Sequence, residues 1–428
     1  MNMIAMLYEK PQRSVTYPAS GLYLGVALKP DRICRLRRAR SVALSIAAAS
    51  ALLVLAACSS SGSSSASSTA SSSASAASTS ASGTAYSLAT AQKEVAAFTA
   101  RPTSIGVTTP ITGTVPKGKR IDLVQCGVPA CEAAGNYLVT AASAVGWTVD
   151  RINAGLTAES TAAAWAQAVA NKPDGVVTSG SPRVLFNPAL AKLKAMGIPV
   201  VDQSVGDAPG NGLSLVMLGP PALAGTSTAP GVGTRIADYM LSQNGGKAFD
   251  SLAVYTSEYT SEIAALSGFT TAMSSACPSC KVYTLNVPLS SIGSDLPTRI
   301  TTFLSSHPQI KWVWPNYDDF IEGLPQAMKA AGQGSDHLVT WDSSTASISY
   351  MQNGELAAFD AYPAAEMMWR SIDFFIRSFT NQSTTVDTAP LPAWMITNAS
   401  EIPPPTDGLF PLVANYQAQF EKLWHISS

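Results

Sequence analysis

The chain has 428 residues, with 27 basic and 28 acidic side chains, a formal net charge of −1, and 46% apolar but only 13% charged residues. Balanced charge spreads no basic field over the surface, which argues against nucleic acid as a main partner. Three histidines in the whole chain leave little room for His-based metal or general-base chemistry, and most hydrolase templates go with them. The length suggests two or three domains.

Arg35, Arg37, Arg38 and Arg40 precede an uncharged run, SVALSIAAASALLVLAA, that ends at Cys58. A basic n-region, an apolar h-region and small residues before a cleavage point form a secretory signal. Leu55-Ala56-Ala57-Cys58 resembles the lipobox of bacterial lipoproteins. That resemblance implies cleavage before Cys58, a diacylglycerol on its sulfur and an acylated amine, so that the chain is held to membrane lipid through Cys58. The alternative is a transmembrane anchor, for which the run is short and rich in Ala and Ser against about 30 Å of hydrocarbon. Residues 1–34 precede the signal, and the true start is expected downstream of Met1. From Ser59 to Thr84 there is only Ser, Ala, Thr and Gly. Such side chains bury too little surface to offset ordering, so the tract reads as a disordered tether with a reach on the order of 25–30 Å.

After a short helix at Ala89–Ala100, the chain alternates. Apolar runs at Ile121–Cys126, Trp147–Ile152, Gly175–Ser179 and Pro199–Val205 predict strands. Helices are predicted near Glu132–Val145, Ser160–Asn171 and Asn187–Met196. A Pro/Gly-rich interval at Gly219–Gly233 interrupts the rhythm. Strands then recur at Ser251–Ser257, Lys281–Val287, Trp312–Pro315, His337–Asp342 and Leu356–Asp360. The helices between them fall at Thr234–Ser242, Glu262–Ser274, Leu296–Ser305, Ile321–Ala331 and Thr345–Asn353. Strands interleaved with helices signal βαβ units and parallel sheets. The expected fold is α/β, two doubly wound parallel-sheet lobes joined by a hinge.

In open parallel sheets, ligands bind beyond the carboxyl ends of the strands. That rule selects Gln125, Ser179 and Asp202-Gln203 in the first half. In the second it selects Glu258-Tyr259, Asn316-Tyr317-Asp318, Asp342 and Tyr362. Amides, carboxylates and aromatic rings facing one cleft suit a neutral polyhydroxylated ligand. Trp312 and Trp314 share one strand face, at least one of them in the core. Trp341 alternates with Asp342, so one of the two should face the cleft. Asp318-Asp319 and Asp360 are candidate paired acids for glycoside cleavage, although Asp318-Asp319 is favoured as a helix cap.

Four stretches, in order, resemble the type I periplasmic binding proteins, specifically ribose-binding-like substrate-binding lipoproteins of ABC importers. They are Asp174-Gly175-Val176-Val177 with Ile198-Pro199-Val200-Val201-Asp202; Gly233-Thr234-Arg235-Ile236-Ala237-Asp238-Tyr239; His307-Pro308 with Trp312-Val313-Trp314-Pro315-Asn316; and Val339-Thr340-Trp341-Asp342. Cys277-Pro278-Ser279-Cys280-Lys281-Val282 and Trp314-Pro315-Asn316-Tyr317-Asp318 resemble an actinobacterial subgroup. The resemblance spans roughly Gly118 to Phe379 and implies two lobes closing on a small ligand. It implies hinge crossings near Gly219–Pro230, near Tyr362-Pro363 and after Thr380. It also implies hydroxyl partners at Asp202, Asn316 and Asp342. Departures at Gln203 and Ala265, where that family carries arginines, and around Pro129-Ala130-Cys131, where it carries aromatic rings, argue against ribose itself.

The expected organisation is a signal region at 1–57 and a lipidated tether at 58–85. An N-terminal lobe follows from 86–218 plus 363–382, and a C-terminal lobe from 219–362 plus 383–428. Export favours structural disulfides within Cys126/Cys131 and Cys277/Cys280. A redox role for the second pair and a four-cysteine zinc site are the alternatives. The first disagrees with a motif that follows a helix rather than starting one, and the second with pairs that lie in different lobes. The candidate ligand residues are Asp202, Gln203, Asn316, Tyr317, Asp342, Trp314, Tyr362 and Ser179, with no catalytic residue, metal or cofactor expected. The functional reading is a monomeric, lipid-anchored receptor on the extracytoplasmic face of the membrane. It passes a small polar molecule, a sugar or similar compound, to an ABC permease. A receptor for a membrane signalling protein and a secreted hydrolase are the other readings.

Overall fold

The computed structural model describes residues 87–155, 157–203, 207–226, 229–334, 337–406 and 408–426. The signal region, Cys58 and the tether lie outside the described residues.

Two sheets account for the strands. The first contains β1 (Arg120–Gln125), β2 (Thr148–Asn153), β3 (Gly175–Ser179), β4 (Val200–Asp202) and β5 (Leu215–Val216), all parallel in the order β2-β1-β3-β4-β5. The second contains β6 (Asp250–Tyr255), β7 (Lys281–Asn286), β8 (Ile310–Pro315), β9 (His337–Trp341), β10 (Ala358–Asp360) and β11 (Met395–Ile396). Its order is β11-β10-β9-β8-β6-β7, with only β11 antiparallel. The chain thus forms two parallel-sheet α/β lobes. Both β5 and β11 are two-residue edge strands, too short for a hydrophobic pattern to announce.

The helices in chain order are α1 (Leu88–Phe98), α2 (Pro129–Ala144), α3 (Ala158–Asn171), α4 (Asn187–Ala195), α5 (Pro220–Ala224), α6 (Val232–Gln243), α7 (Thr260–Ala276), α8 (Leu296–Ser306), α9 (Leu324–Ala330), α10 (Thr345–Gln352), α11 (Ala364–Phe379) and α12 (Tyr416–Leu423). Local chemistry marks their ends. Thr157 and Ser160 form a capping box on α3, and Ser344 and Ser347 repeat it on α10. Asp174, just before β3, accepts hydrogen bonds from Lys119 Nζ at 2.8 Å and Arg120 N at 2.9 Å, tying the starts of β1 and β3 together.

Parallel strands buried on both faces send alternate side chains into different cores. Leu123, Val177 and Val201 face one core, whereas Val124, Val176 and Val200 face another containing Trp165 stacked on Phe186 at 4.0 Å. In the second sheet, Trp312, Trp314 and Val339 face the same core as Leu123, while Leu252, Val313 and Leu338 face a third. One continuous core therefore runs through both lobes. Both tryptophans of β8 belong to it.

Chain order assigned Leu88–Phe98 to the first lobe and Tyr416–Leu423 to the second. In the structure α1 packs on α6 of the second lobe, and α12 packs on α11, which lies against α2 of the first. Aromatic burial explains the second exchange. Trp424 stacks on Trp369 at 5.3 Å, and Tyr416 meets both Trp369 and Tyr137 edge-on. A buried ring of this size contributes roughly 4–6 kcal/mol of gross burial.

One face of α11 is ionic yet buried. Arg377 Nε pairs with Asp373 Oδ2 at 2.7 Å and lies 3.8 Å from Asp387. Trp424 Nε1 donates to Asp373 Oδ1 at 2.6 Å. Arg370 donates to the carbonyls of Ile105 and Ala389, Arg377 donates to Thr109 O at 2.5 Å, and Glu366 Oε1 accepts from Val413 N at 2.7 Å. The helix thereby holds three separate passages of chain between the lobes. Arg377→Met would break the buried ion pair with Asp373 while leaving Arg370 nearby, and a loss of about 3–5 kcal/mol in urea unfolding is the expected result.

Candidate functional site

The carboxyl ends of both sheets open onto one cleft of about 930 Å³. On the first-lobe side, the turn after β1 supplies Cys126, Val128, Ala130 and Cys131. The turn after β3 supplies Ser179, Gly180, Ser181 and Pro182, with Val184 and Leu185 beyond. Cys126 and Cys131 are disulfide-bonded, and Ser179 Oγ donates to Cys131 Sγ at 3.7 Å. Gly180, at φ +72°, lets the backbone lie against this bridge; a Cβ there would stand 2.8 Å from that of Cys126. This wall is small and uncharged. The second pair, Cys277 and Cys280, is also bonded, between α7 and β7.

The second-lobe wall is different in kind. Glu258 to Glu262 follow β6, Tyr317 and Asp319 follow β8, Trp341 and Asp342 end β9, and Tyr362 follows β10. Glu258 Oε1 accepts from Leu289 N at 2.8 Å, and Glu262 Oε2 accepts from Thr256 N at 2.7 Å. Burial holds the Glu262 carboxyl up to about 8 despite that hydrogen bond. Asp342 is raised by burial and by nearby Asp319, and Asp318 more strongly by burial and both neighbours. Tyr317 donates to Asp319, and its own phenol is raised by burial and by Asp319, Asp342 and Asp318.

Of the eight candidate ligand residues, Ser179, Tyr317, Asp342 and Tyr362 line the cleft. Asp202, Gln203, Trp314 and Asn316 do not. Backbone pairing turns the first two away: Gln203 N donates to Thr178 O, while Met217 and Leu218 donate to the carbonyls of Asp202 and Gln203. The Gln203 amide then donates to Ser371 Oγ of α11 at 2.9 Å. Asn316 continues the ladder of β8 through Val254 O, and its Nδ2 donates to Glu262 O at 2.8 Å, so it positions the first turn of α7. Trp314 is fully buried against Phe269, 4.7 Å between rings.

Two local expectations change. Trp341 and Asp342 both line the cleft, because Asp342 takes φ +79° and breaks the period-two alternation just past the strand end. Asp318 and Asp319 do not cap; they lie within a short 3-10 turn whose N-cap is Tyr317, and Asp318 accepts from Ser347 Oγ at 3.5 Å. Asp360 pairs with Arg235 at 2.6 Å, which removes it from any acid pair in the cleft. Glu262 and the apolar lip at Val184, Leu185, Leu289 and Ile292 carried no motif; strand-end position reached Glu258-Tyr259 but not these, and Asp319 stood out only as a candidate acid or cap beside Asp318.

The sequence matches the periplasmic binding protein domain family over residues 127–378, more than half of its length. The chain belongs to that family. Its architecture, two parallel-sheet lobes around a cleft, is that of the type I periplasmic binding proteins. No curated protein matches it. Among solved structures it is similar to an ABC sugar transporter subunit from Rhodobacter sphaeroides 2.4.1, with 19% identity, TM-score 0.56, and coverage of 66% of this chain and 99% of that one. A glucose-galactose binding protein from Geobacillus stearothermophilus aligns with 16% identity and TM-score 0.58, over 68% of this chain and all of its own. An ABC transporter solute binding protein from Agrobacterium vitis with bound allitol aligns with 21% identity and TM-score 0.56, over 67% and 98%. The family consists of extracytoplasmic solute-binding proteins rather than enzymes. Among the described residues no helix is long and apolar enough to cross a membrane.

The raised Glu262 carboxyl makes a pH prediction. Unfolded, the group ionises near 4.5; folded, near 8. Between those values the folded state holds the extra proton, so this group's contribution falls as pH rises. Glu262→Gln keeps an acceptor for Thr256 N and removes the buried charge. The variant is expected to gain about 2–4 kcal/mol over the parent at pH 8 and almost nothing at pH 4, read from urea unfolding at both pH values.

Proposed function

We propose that this binding protein captures a small polyhydroxylated molecule, a sugar or polyol, in the interlobe cleft and delivers it to an ABC permease while tethered to the outer face of the membrane through Cys58. The observation that carries the reading is the second-lobe wall. Tyr317, Tyr259, Trp341 and Tyr362 bring aromatic side chains to the cleft beside carboxyl groups, a pairing suited to covering C–H faces while accepting from hydroxyls. The related structures named for sugar transport and for bound allitol support the same class. Of the eight candidate residues, Tyr317, Asp342, Tyr362 and Ser179 are the ligand contacts. Asp202, Gln203, Trp314 and Asn316 act behind them, by holding strand ends and α7.

Capture follows from differential contact. Each wall alone satisfies part of the ligand, so the closed state is favoured by the contacts made only when both walls meet it. The acidic side chains have no hydrolytic assignment here, because they share one wall and none faces another carboxyl across the cleft.

A thermal-shift panel of sugars and polyols on the body beginning near Ser87 is expected to yield a stabilising ligand. For that ligand, Tyr317→Leu should weaken calorimetric affinity by about 1 kcal/mol or more. Asp342→Asn, which tolerates the left-handed backbone, should do the same. Unchanged affinity in both variants would reject these contacts. In the full chain, Cys58→Ser should move the protein from the membrane fraction to the soluble one; retention at the membrane would reject lipid anchoring.

A further inference from the structure

We infer that the molecule held in this cleft carries a protonated amine, as an amino sugar or amino polyol does, with the ammonium seated on the second-lobe wall between Glu262, Asp342 and the rings of Tyr259 and Tyr317. The inference rests on the proposed function above and specifies its ligand.

Charge is the first argument. Four carboxylates, Glu258, Glu262, Asp319 and Asp342, line the cleft, and among the described residues no Lys, Arg or His does. The opposite wall supplies only neutral groups, so no side chain offsets this acidity from across the gap. Among the described residues no Asn or Gln lines the cleft either. A receptor for a neutral polyol needs donors as well as acceptors, since every hydroxyl oxygen also accepts. Here the donors in the lining are Ser, Thr and Tyr hydroxyls and the Trp341 indole N–H, and none is cationic, whereas four carboxyl groups face the gap. An ammonium has three donors and no acceptor, and it matches such a wall without residue.

Hydrogen bonding is the second argument. Glu262 is only 1% exposed, its Oε2 is engaged by Thr256 N, and its Oε1 has no hydrogen-bond partner among the described residues. A buried carboxylate oxygen left unpaired is costly. A donor brought by the ligand removes that cost, and a charged donor removes most of it. The surroundings are suited to a cation in a second way. The Tyr259 phenol is raised by burial and by Glu262, Asp319 and Glu258, and that of Tyr317 by burial and by Asp319, Asp342 and Asp318. Both rings therefore lie beside the carboxyl groups that an ammonium would hold ionised, and an aromatic ring adds its own attraction for a cation. A metal ion is a poorer match, because among the described residues no three His, Cys, Asp or Glu side chains converge to hold one.

Proton linkage separates this idea from a neutral ligand. With the cleft empty, burial keeps Glu262 protonated near neutrality, and Asp342 is raised in the same sense. An ammonium favours the ionised carboxylates, so its binding expels protons; a hydroxyl in the same place does not.

The test uses matched pairs on the full chain at pH 7: 1-amino-1-deoxysorbitol against sorbitol, glucosamine against glucose, and galactosamine against galactose. Titration calorimetry in two buffers of different ionisation enthalpy reads affinity and proton release together. The amino member of at least one pair should bind about tenfold or more tightly than its hydroxyl counterpart. Its binding should release protons, and its affinity should fall between pH 7 and pH 5.5. Glu262→Gln and, independently, Asp342→Asn should shrink the preference, with folding of each checked by thermal melting. A neutral member bound as tightly as its amine, or amine binding without proton release, overturns the inference and leaves the sugar or polyol reading standing. Binding of no member of any pair overturns both.

Discussion

A parallel sheet covered on both faces can show polar chemistry only at its ends, and that constraint organises this protein. Val176, Val177, Val200 and Val201 are fully buried, as are Leu252, Ala253 and Val254, so neither sheet has a face left for a ligand. What remains are the turns that leave the carboxyl ends. Because the carboxyl ends of both sheets border one cleft, the turns after β1 and β3 meet those after β6, β8, β9 and β10 across a single gap. The cleft is thus a consequence of how the hydrophobic layers are satisfied.

The two walls divide the work unequally. The first is built from a disulfide, glycine, serines and small apolar side chains, and it lines the gap without adding charge. The second concentrates carboxylates and aromatic rings, with Asn316 and Thr256 holding Glu262 in place from behind. Burial keeps several of these carboxyls protonated at higher pH than usual, so the wall stores proton affinity that a ligand can displace. Unfavourable burial of this kind is tolerated at binding sites because the rest of the fold over-determines the geometry.

That over-determination comes largely from α11 and the segments it secures. The helix carries buried aromatic rings on one side and the Glu366–Arg370–Asp373–Arg377 series on another. Through these it grips backbone at Ile105, Thr109, Ala389 and Val413. The exchanged ends, α1 on the second lobe and α12 on the first, add further passages between the lobes beside the crossings that follow β5 and β10. The lobes are therefore joined by several passages of chain rather than by one linker.

The alternation of apolar runs with helix-length segments was enough to establish two parallel-sheet lobes, because period-two burial and βαβ connectivity are local properties of the chain. It also located the cleft to the turns after the strands, which is how Ser179, Tyr317, Asp342 and Tyr362 were legible. Tertiary structure alone decided which strand-end residues face the gap. Asp202 ends β4 as Ser179 ends β3, and Gln203 follows it, yet a two-residue strand too short to read, β5, leads into backbone that pairs over them, and α11 closes above. Asn316 precedes Tyr317 by one residue but stays in the ladder, whereas a positive φ at Asp342 brings both it and Trp341 to the wall. The places of α1 and α12, and the charge imbalance between the walls, depend on contacts between segments distant in the chain. No local pattern encodes those, since the energy that selects them is burial against surfaces formed only once both lobes exist.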